Sequence, residues 1–188
     1  MTTASDLQEH PLNQVHRLIE PGPVILVTTR HEGIPNVMTN GFNMMVRHEP
    51  PLIGCTIGPW DHSYAALRAT DECVISIPGS ELAEIVVDVG NCSGQEVDKF
   101  QTFDLTPVDA ESVQAPLIAE CFANIECRVV DTALVDSYDL FVLEAVKAWV
   151  DPSRTDPQMF HHRGDGTFTL DGETVDLQDR MTKWQYLL

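Results

Sequence analysis

The chain has 188 residues, 43% of them hydrophobic, enough to bury one substantial core, and no compositional seam divides it, so a single domain over residues 1–188 is expected. Its 29 acidic side chains outnumber 11 basic ones, giving a formal net charge of −18 and a field that repels polyanions, which sets nucleic acid aside as a partner. No basic start with an apolar run follows Met1, no stretch approaches membrane-spanning length, and five cysteines form no C-x-x-C pair; a cytoplasmic protein with no membrane contact, disulfide framework or zinc ribbon is expected.

After a polar leader over about residues 1–11, Leu12 to Ile19 suits a short helix that Glu20-Pro21-Gly22-Pro23 stops and turns. Pro23 to Arg30 (PVILVTTR) is β-branched and apolar, a buried strand by composition and length. His31-Glu32-Gly33-Ile34 supplies a turn. Pro35 to Val46 then reads as a second strand interrupted at Gly41, where a glycine marks a bulge or a close approach to the backbone. Pro50-Pro51 breaks the chain before a third strand, Leu52 to Gly58, which completes a meander. Asp61 to Thr70 switches to helix formers, with Asp61 and Ser63 as candidate N-caps. Cys73 to Pro78 returns to strand, Ser80 to Val89 suits a second helix, and Gln101 to Pro116 carries no period and reads as surface connection.

Two long strands follow, Leu117 to Val135 and Tyr138 to Val150, joined at the turn-forming pair Asp136-Ser137. In the first, Ala123, Ile125, Cys127 and Val129 alternate with Asn124, Glu126 and Arg128, the pattern of a sheet with one wet face. The second is apolar on both faces and needs cover on both sides. From about residue 152 a polar tail runs to 188, with glycine turns around Phe168-Thr169-Leu170. Mainly β with inserted helices, this is the pattern of an α+β protein built on a small antiparallel barrel.

Four pieces in order carry a resemblance: Thr39-Asn40-Gly41-Phe42-Asn43 leading into Pro50-Pro51-Leu52; LIGCTIGPWDHS from Leu52; Tyr64-Ala65-Ala66-Leu67 followed by CVISIP; and Asn91-Cys92-Ser93-Gly94 with Asp98-Lys99-Phe100. Over roughly residues 15–150 the chain resembles the flavin reductase-like, flavoredoxin-type branch of the FMN-binding split-barrel superfamily. The resemblance implies a six-stranded antiparallel, Greek-key-like split barrel and noncovalent FMN near a two-fold homodimer interface. It also implies NADH or NADPH as co-substrate, or a protein electron-transfer partner. By position, Thr39, Asn40, Gly41, Phe42 and Asn43 run along the polar edge of the flavin ring, and Cys55, Thr56, Ile57 and Tyr64 fall beside the cofactor. The phosphate end maps onto Trp60, His62 and Ser63, where a hydroxyl and free N–H groups at a helix start suit an anion. Lys99 either neutralises the phosphate or pairs at the surface with Asp98 or Glu96.

Two departures from the family pattern matter. Arg47 stands where a small hydroxyl residue is usual, either as a further cation near the cofactor or partner chain or as a solvent-exposed side chain. Asp136-Ser137-Tyr138-Asp139 stands where many NAD(P)H-dependent members carry Asp-His, which separates flavin binding from nicotinamide use and leaves a noncatalytic FMN-binding electron carrier as the alternative to an oxidoreductase. No catalytic residue is assigned. Adjacent His161-His162 have no third ligand at metal spacing, so no metal is expected, and the chain holds no G-x-S-x-G elbow and no dinucleotide fingerprint after a strand.

Overall fold

The computed structural model describes residues 22–154 and 157–180; the leader and the helix expected over Leu12 to Ile19 lie outside them. Seven strands form one antiparallel sheet: β1 (Ile25–His31), β2 (Ile34–Asn40), β3 (Asn43–Arg47), β4 (Leu52–Thr56), β5 (Glu72–Ile77), β8 (Ala123–Asp131) and β9 (Leu140–Val150), in the order β2-β1-β5-β8-β9-β4-β3. The expected single strand Pro35 to Val46 is divided at Gly41-Phe42 into β2 and β3, which raises the count from six to seven. That division is topological: β2 and β3 are opposite ends of the sheet, so consecutive residues join its two edges. The seam is closed by Thr56 N donating to Phe42 O at 3.0 Å and by Asn40 Nδ2 donating to Thr56 O at 2.8 Å.

β1 is apolar at every position from Ile25 to Val27 because both its faces are covered. Val27 joins the barrel core with Ile53, Cys55, Ile57, Ile75, Phe141 and Leu143. Leu26 faces outward into a second core with Val37, Val86, Val89, Phe100 and Phe160. Helix α1 (His62–Thr70) seats Leu67 in the first core, and α2 (Ala83–Gly90) supplies Val86 and Val89 to the second. Burial of each such aliphatic side chain contributes about 1.5–3 kcal/mol relative to leaving it exposed.

Of the wet face expected on β8, Asn124 and Glu126 are buried and Arg128 alone is exposed. Residues 109–117, bounded by the two-residue strands β6 (Pro107–Val108) and β7 (Leu117–Ile118), fold over this face, and Val113, Ala115 and Leu117 pack on Val74 and Trp149. Glu126, fully buried there, accepts from Ser112 N at 2.5 Å, from Glu111 N and Val113 N at 3.2 Å each, and from Trp149 Nε1 at 2.8 Å. Asn124 accepts from Ser76 Oγ and Ile118 N and donates to Ile118 O. The stretch read as surface connection is a cover whose backbone donors are collected by these side chains. Asp136-Ser137, expected as a turn, lies in the short helix α4 (Val135–Tyr138), which follows α3 (Lys99–Thr102).

Part of the polar tail forms a hairpin, β10 (Phe160–His162) with β11 (Phe168–Leu170), docked on the start of β1 through Val24 N to Phe160 O at 3.0 Å. Among the described residues, no helix is long and apolar enough to cross a membrane, and no group of three or more His, Cys, Asp or Glu could hold a metal ion.

Candidate functional site

As a sheet edge, β2 pairs only with β1 among the described residues, so alternate backbone N–H and C=O groups along its other side have no described strand beside them. A cleft of about 360 Å³ opens beside that edge. Asn36, Met38 and Thr39 of β2 form its floor, Trp60 and His62 one side, and the end of α2 with Asn91, Cys92, Ser93 and Lys99 the other. A separate apolar hollow of about 280 Å³, which includes Gly41, Phe42, Val86, His162 and Phe168, adjoins it at Thr39 and Gly90, where Thr39 Oγ1 donates to Val86 O at 2.5 Å. On the other side of Asn36 and His62, against which Gly94 packs closely, lies a hollow of about 400 Å³ carrying Glu32, Glu96 and Asp98.

The polar end is organised around α1 and Lys99. Asp61, in extended conformation, takes the N-cap position and accepts from Gly58 N at 2.9 Å, which fixes the turn carrying Trp60 over Gly58. In the first turn of α1, Tyr64 N donates back to Asp61 O at 3.0 Å, and His62 at the helix start lines the cleft. Lys99 is only 6% exposed, and Nζ donates to Val89 O at 2.8 Å at the carbonyl end of α2. One of its three ammonium donors is thereby used. Burial pulls its pKa below the ordinary lysine value, against the opposing pull of Cys92 and Asp61. Of the two readings left open for Lys99, the surface pair is not what forms: Asp98 instead caps α3 by accepting from Gln101 N.

Of the residues singled out in the sequence, Thr39, Gly41, Phe42, Trp60, His62 and Lys99 line the cleft or its apolar extension. Ser63 stands behind it: its Oγ is fully buried and accepts from Asn36 Nδ2 at 2.8 Å, so the hydroxyl reaches the cleft through Asn36. Asn43 spends its amide on Pro23 O and Asn40 spends its amide on the seam, where Thr56 supplies the carbonyl; Asn40 Oδ1 is buried with no hydrogen-bond partner. Cys55, Ile57 and Tyr64 are not brought to the cleft. Alternation along β4 turns Cys55 into the barrel, where burial first and the neighbouring Cys127 and Asp61 next push its thiol up to about 12; Ile57 joins the same core, and Tyr64 packs edge-on against Phe141. Arg47 ends β3, exposed at the other sheet edge. Sequence reasoning missed Asn36, whose neighbour Pro35 hid it in a strand start, and His162 and Phe168, which looked like tail.

A family model described as a flavin reductase like domain matches residues 17–169, somewhat beyond the span of the resemblance noted above. The chain is 36% identical over 110 residues to an uncharacterized protein of Archaeoglobus fulgidus, covering 58% of this chain and 62%, less than two thirds, of that relative. Flavoredoxin of Desulfovibrio vulgaris (Miyazaki F) superposes with a TM-score of 0.76 at 23% identity, over 94% of this chain and 96% of that one. An FMN-binding protein from Thermus thermophilus does so with a TM-score of 0.78 at 22% identity, over 94% and 99%. These likenesses show the fold, the antiparallel split barrel with helices that the sequence led us to expect.

Proposed function

We propose, from the premise that this chain belongs to the family of flavin reductase-like domains, that the cleft holds FMN noncovalently and that the protein is an oxidoreductase of the flavoredoxin type. Electrons would pass between NAD(P)H or a protein donor and flavin or another acceptor. The observation that carries this reading is a polarity gradient along β2, from the polar cleft to the apolar hollow that adjoins it at Thr39 and Gly90. A buried lysine and the start of α1 stand at one end, the edge of β2 lies along it, and the apolar hollow lies at the other end.

These residues fit FMN. Lys99 and the first N–H groups of α1 match a phosphate, which needs local donors in a chain of net charge −18. The edge of β2 offers backbone donors and acceptors to the polar side of the ring. Trp60, 75% exposed over Gly58, stands at the rim, where its indole can exclude water from a bound ring. Bound there, FMN would supply reversible two-electron chemistry that no side chain of this cleft provides.

One observation favours the electron-carrier alternative: Asp136 and Ser137 lie in α4, with Asp136 paired to Arg68 at 3.9 Å, and that segment offers no imidazole. Anaerobic titration of the FMN-loaded protein separates the readings. Bleaching of the flavin bands by NADH or NADPH supports the oxidoreductase; bleaching by dithionite alone supports the carrier. Protein that takes up no FMN removes both.

A second copy of the chain is proposed to cover β3, where Met44 and Met45 are 58% and 56% exposed on a sheet edge. Sedimentation of the loaded protein at micromolar concentration should give dimer mass. Monomer mass with FMN tightly held would rule this out.

A further inference from the structure

The β10–β11 hairpin lies outside the seven-stranded sheet, yet the second core holds it firmly. Phe160 is 1% exposed in that core, β10 bridges Pro23 through His161, and Phe168 stands edge-on to Phe160 with ring centroids 5.8 Å apart. Across the hairpin, Phe168 lies 5.0 Å from the His162 ring, and Gly166 N donates to His162 Nε2 at 3.1 Å, which fixes that imidazole in place. Both rings face the apolar hollow opposite Thr39, Gly41 and Phe42.

The scale of the cleft decides what can reach them. From Asn36, beside the phosphate end, to Gly41, in the hollow just past the end of β2, the extended chain covers five residue steps, roughly 17 Å at strand rise. That is the scale of an extended ribityl phosphate joined to a three-ring system, so a flavin anchored at Lys99 places the apolar side of its ring in the hollow. A ligand of phosphate and sugar alone would end short of it.

We propose that the hairpin is the wall against which the apolar edge of the flavin ring packs, with Phe168 and His162 as the contacting residues. This rests on the FMN reading above. The C-terminal tail thereby acquires a role in ring recognition, separate from the phosphate recognition at Lys99.

The test compares FMN, riboflavin and lumiflavin, which share the ring and differ in the tail. His162→Ala and Phe168→Ala should each weaken all three by a similar factor, roughly three- to tenfold, and alter the shape of the visible flavin band. Phe168→Tyr, which keeps the ring, should restore both. Thermal unfolding without flavin checks the fold, and His162→Ala carries the test if Phe168→Ala fails to fold. Wild-type affinities and an unchanged band in the variants would overturn the hairpin's role while leaving FMN binding in place. Weakening of FMN alone would also overturn it, since the hairpin would then act at the phosphate. A wild-type protein that binds none of the three overturns the FMN reading itself, and this inference with it.

Discussion

Glu126 and Asn124 beneath the 109–117 cover, and Asn40 at the seam with Lys99 in the cleft, are all polar groups taken out of water, yet the chain completes the hydrogen bonding only of the first pair. Glu126 gathers three backbone N–H groups and an indole N–H, and Asn124 is bonded on both its oxygen and its nitrogen. Asn40 keeps a buried oxygen with no partner, and Lys99 uses a single bond. A buried polar group that its own chain completes belongs to the architecture; one left incomplete on the wall of an open cleft is positioned to receive something. Both regions look alike in composition, and the difference appears only when each donor and acceptor is followed to its partner.

The largest effect is expected where the closed region is broken. Glu126→Ala strands three N–H groups of the cover and should lower unfolding stability by about 3 kcal/mol, read from urea denaturation, with flavin affinity nearly unchanged. Burial works to raise the Glu126 pKa, but the bonds from Trp149, Ser112, Glu111 and Val113 outweigh it and hold the carboxyl below its ordinary value. With the folded pKa below the unfolded one, this stabilisation is present above the ordinary glutamate range and is lost as pH falls through the lowered value. Glu126→Gln should flatten the stability profile across that acid window. An equally steep profile in the variant would show that the carboxylate does not hold the cover.

An intermediate effect is expected in the open region. Lys99→Met should weaken FMN roughly tenfold or more while leaving riboflavin nearly unaffected, because one charge-assisted bond to phosphate is lost and no ring contact is touched. Since burial lowers the Lys99 pKa, the preference for FMN over riboflavin should fade as pH rises through a value below the ordinary lysine range. Calorimetric titration of both flavins between neutral and alkaline pH reads this out, and equal loss for both would detach Lys99 from the phosphate. The smallest effect belongs to Ser63→Ala, which sits between the two regions in character. It removes the acceptor of Asn36 Nδ2 and should cost about 1 kcal/mol of stability. FMN should weaken less than in Lys99→Met, because Ser63 Oγ acts only through Asn36. A larger loss of FMN than in Lys99→Met would mean that the serine meets the phosphate directly.

The strands β1, β4 and β5 and helix α1 were legible because their apolar patterns match what covers them. β8 was legible as a strand but not in its burial: alternation marks Asn124 and Glu126 as polar, and polarity alone does not tell water from a ring of backbone N–H donors. The expected strand from Leu117 to Val135 shortened for a related reason, since Leu117 and Ile118 pair instead with Pro107 and Val108 in the cover. At the site, Lys99 and His62 could be placed by motif, whereas Cys55, Ile57 and Tyr64 share that stretch of sequence and turn inward. His162 and Phe168 lie far along the chain from the motif, and only folding brings them to Gly41 and Phe42.

The closure at Gly41-Phe42 makes the barrel a strip fastened along one line, held by Thr56 N to Phe42 O and by the Asn40 amide. One side-chain bond from Asn40 and one backbone bond at the end of the β3–β4 ladder hold that line, where a breathing motion has little to break. The cleft and its apolar neighbour run beside it, and a ligand filling both would touch Thr39 and Phe42 on one side of the fastening and Trp60 on the other. Occupancy would then act as a clasp: amide protons of β3 and β4 should exchange with deuterium more slowly once the cleft is filled, while those of β5 and β8, interior to the strip, keep their pace.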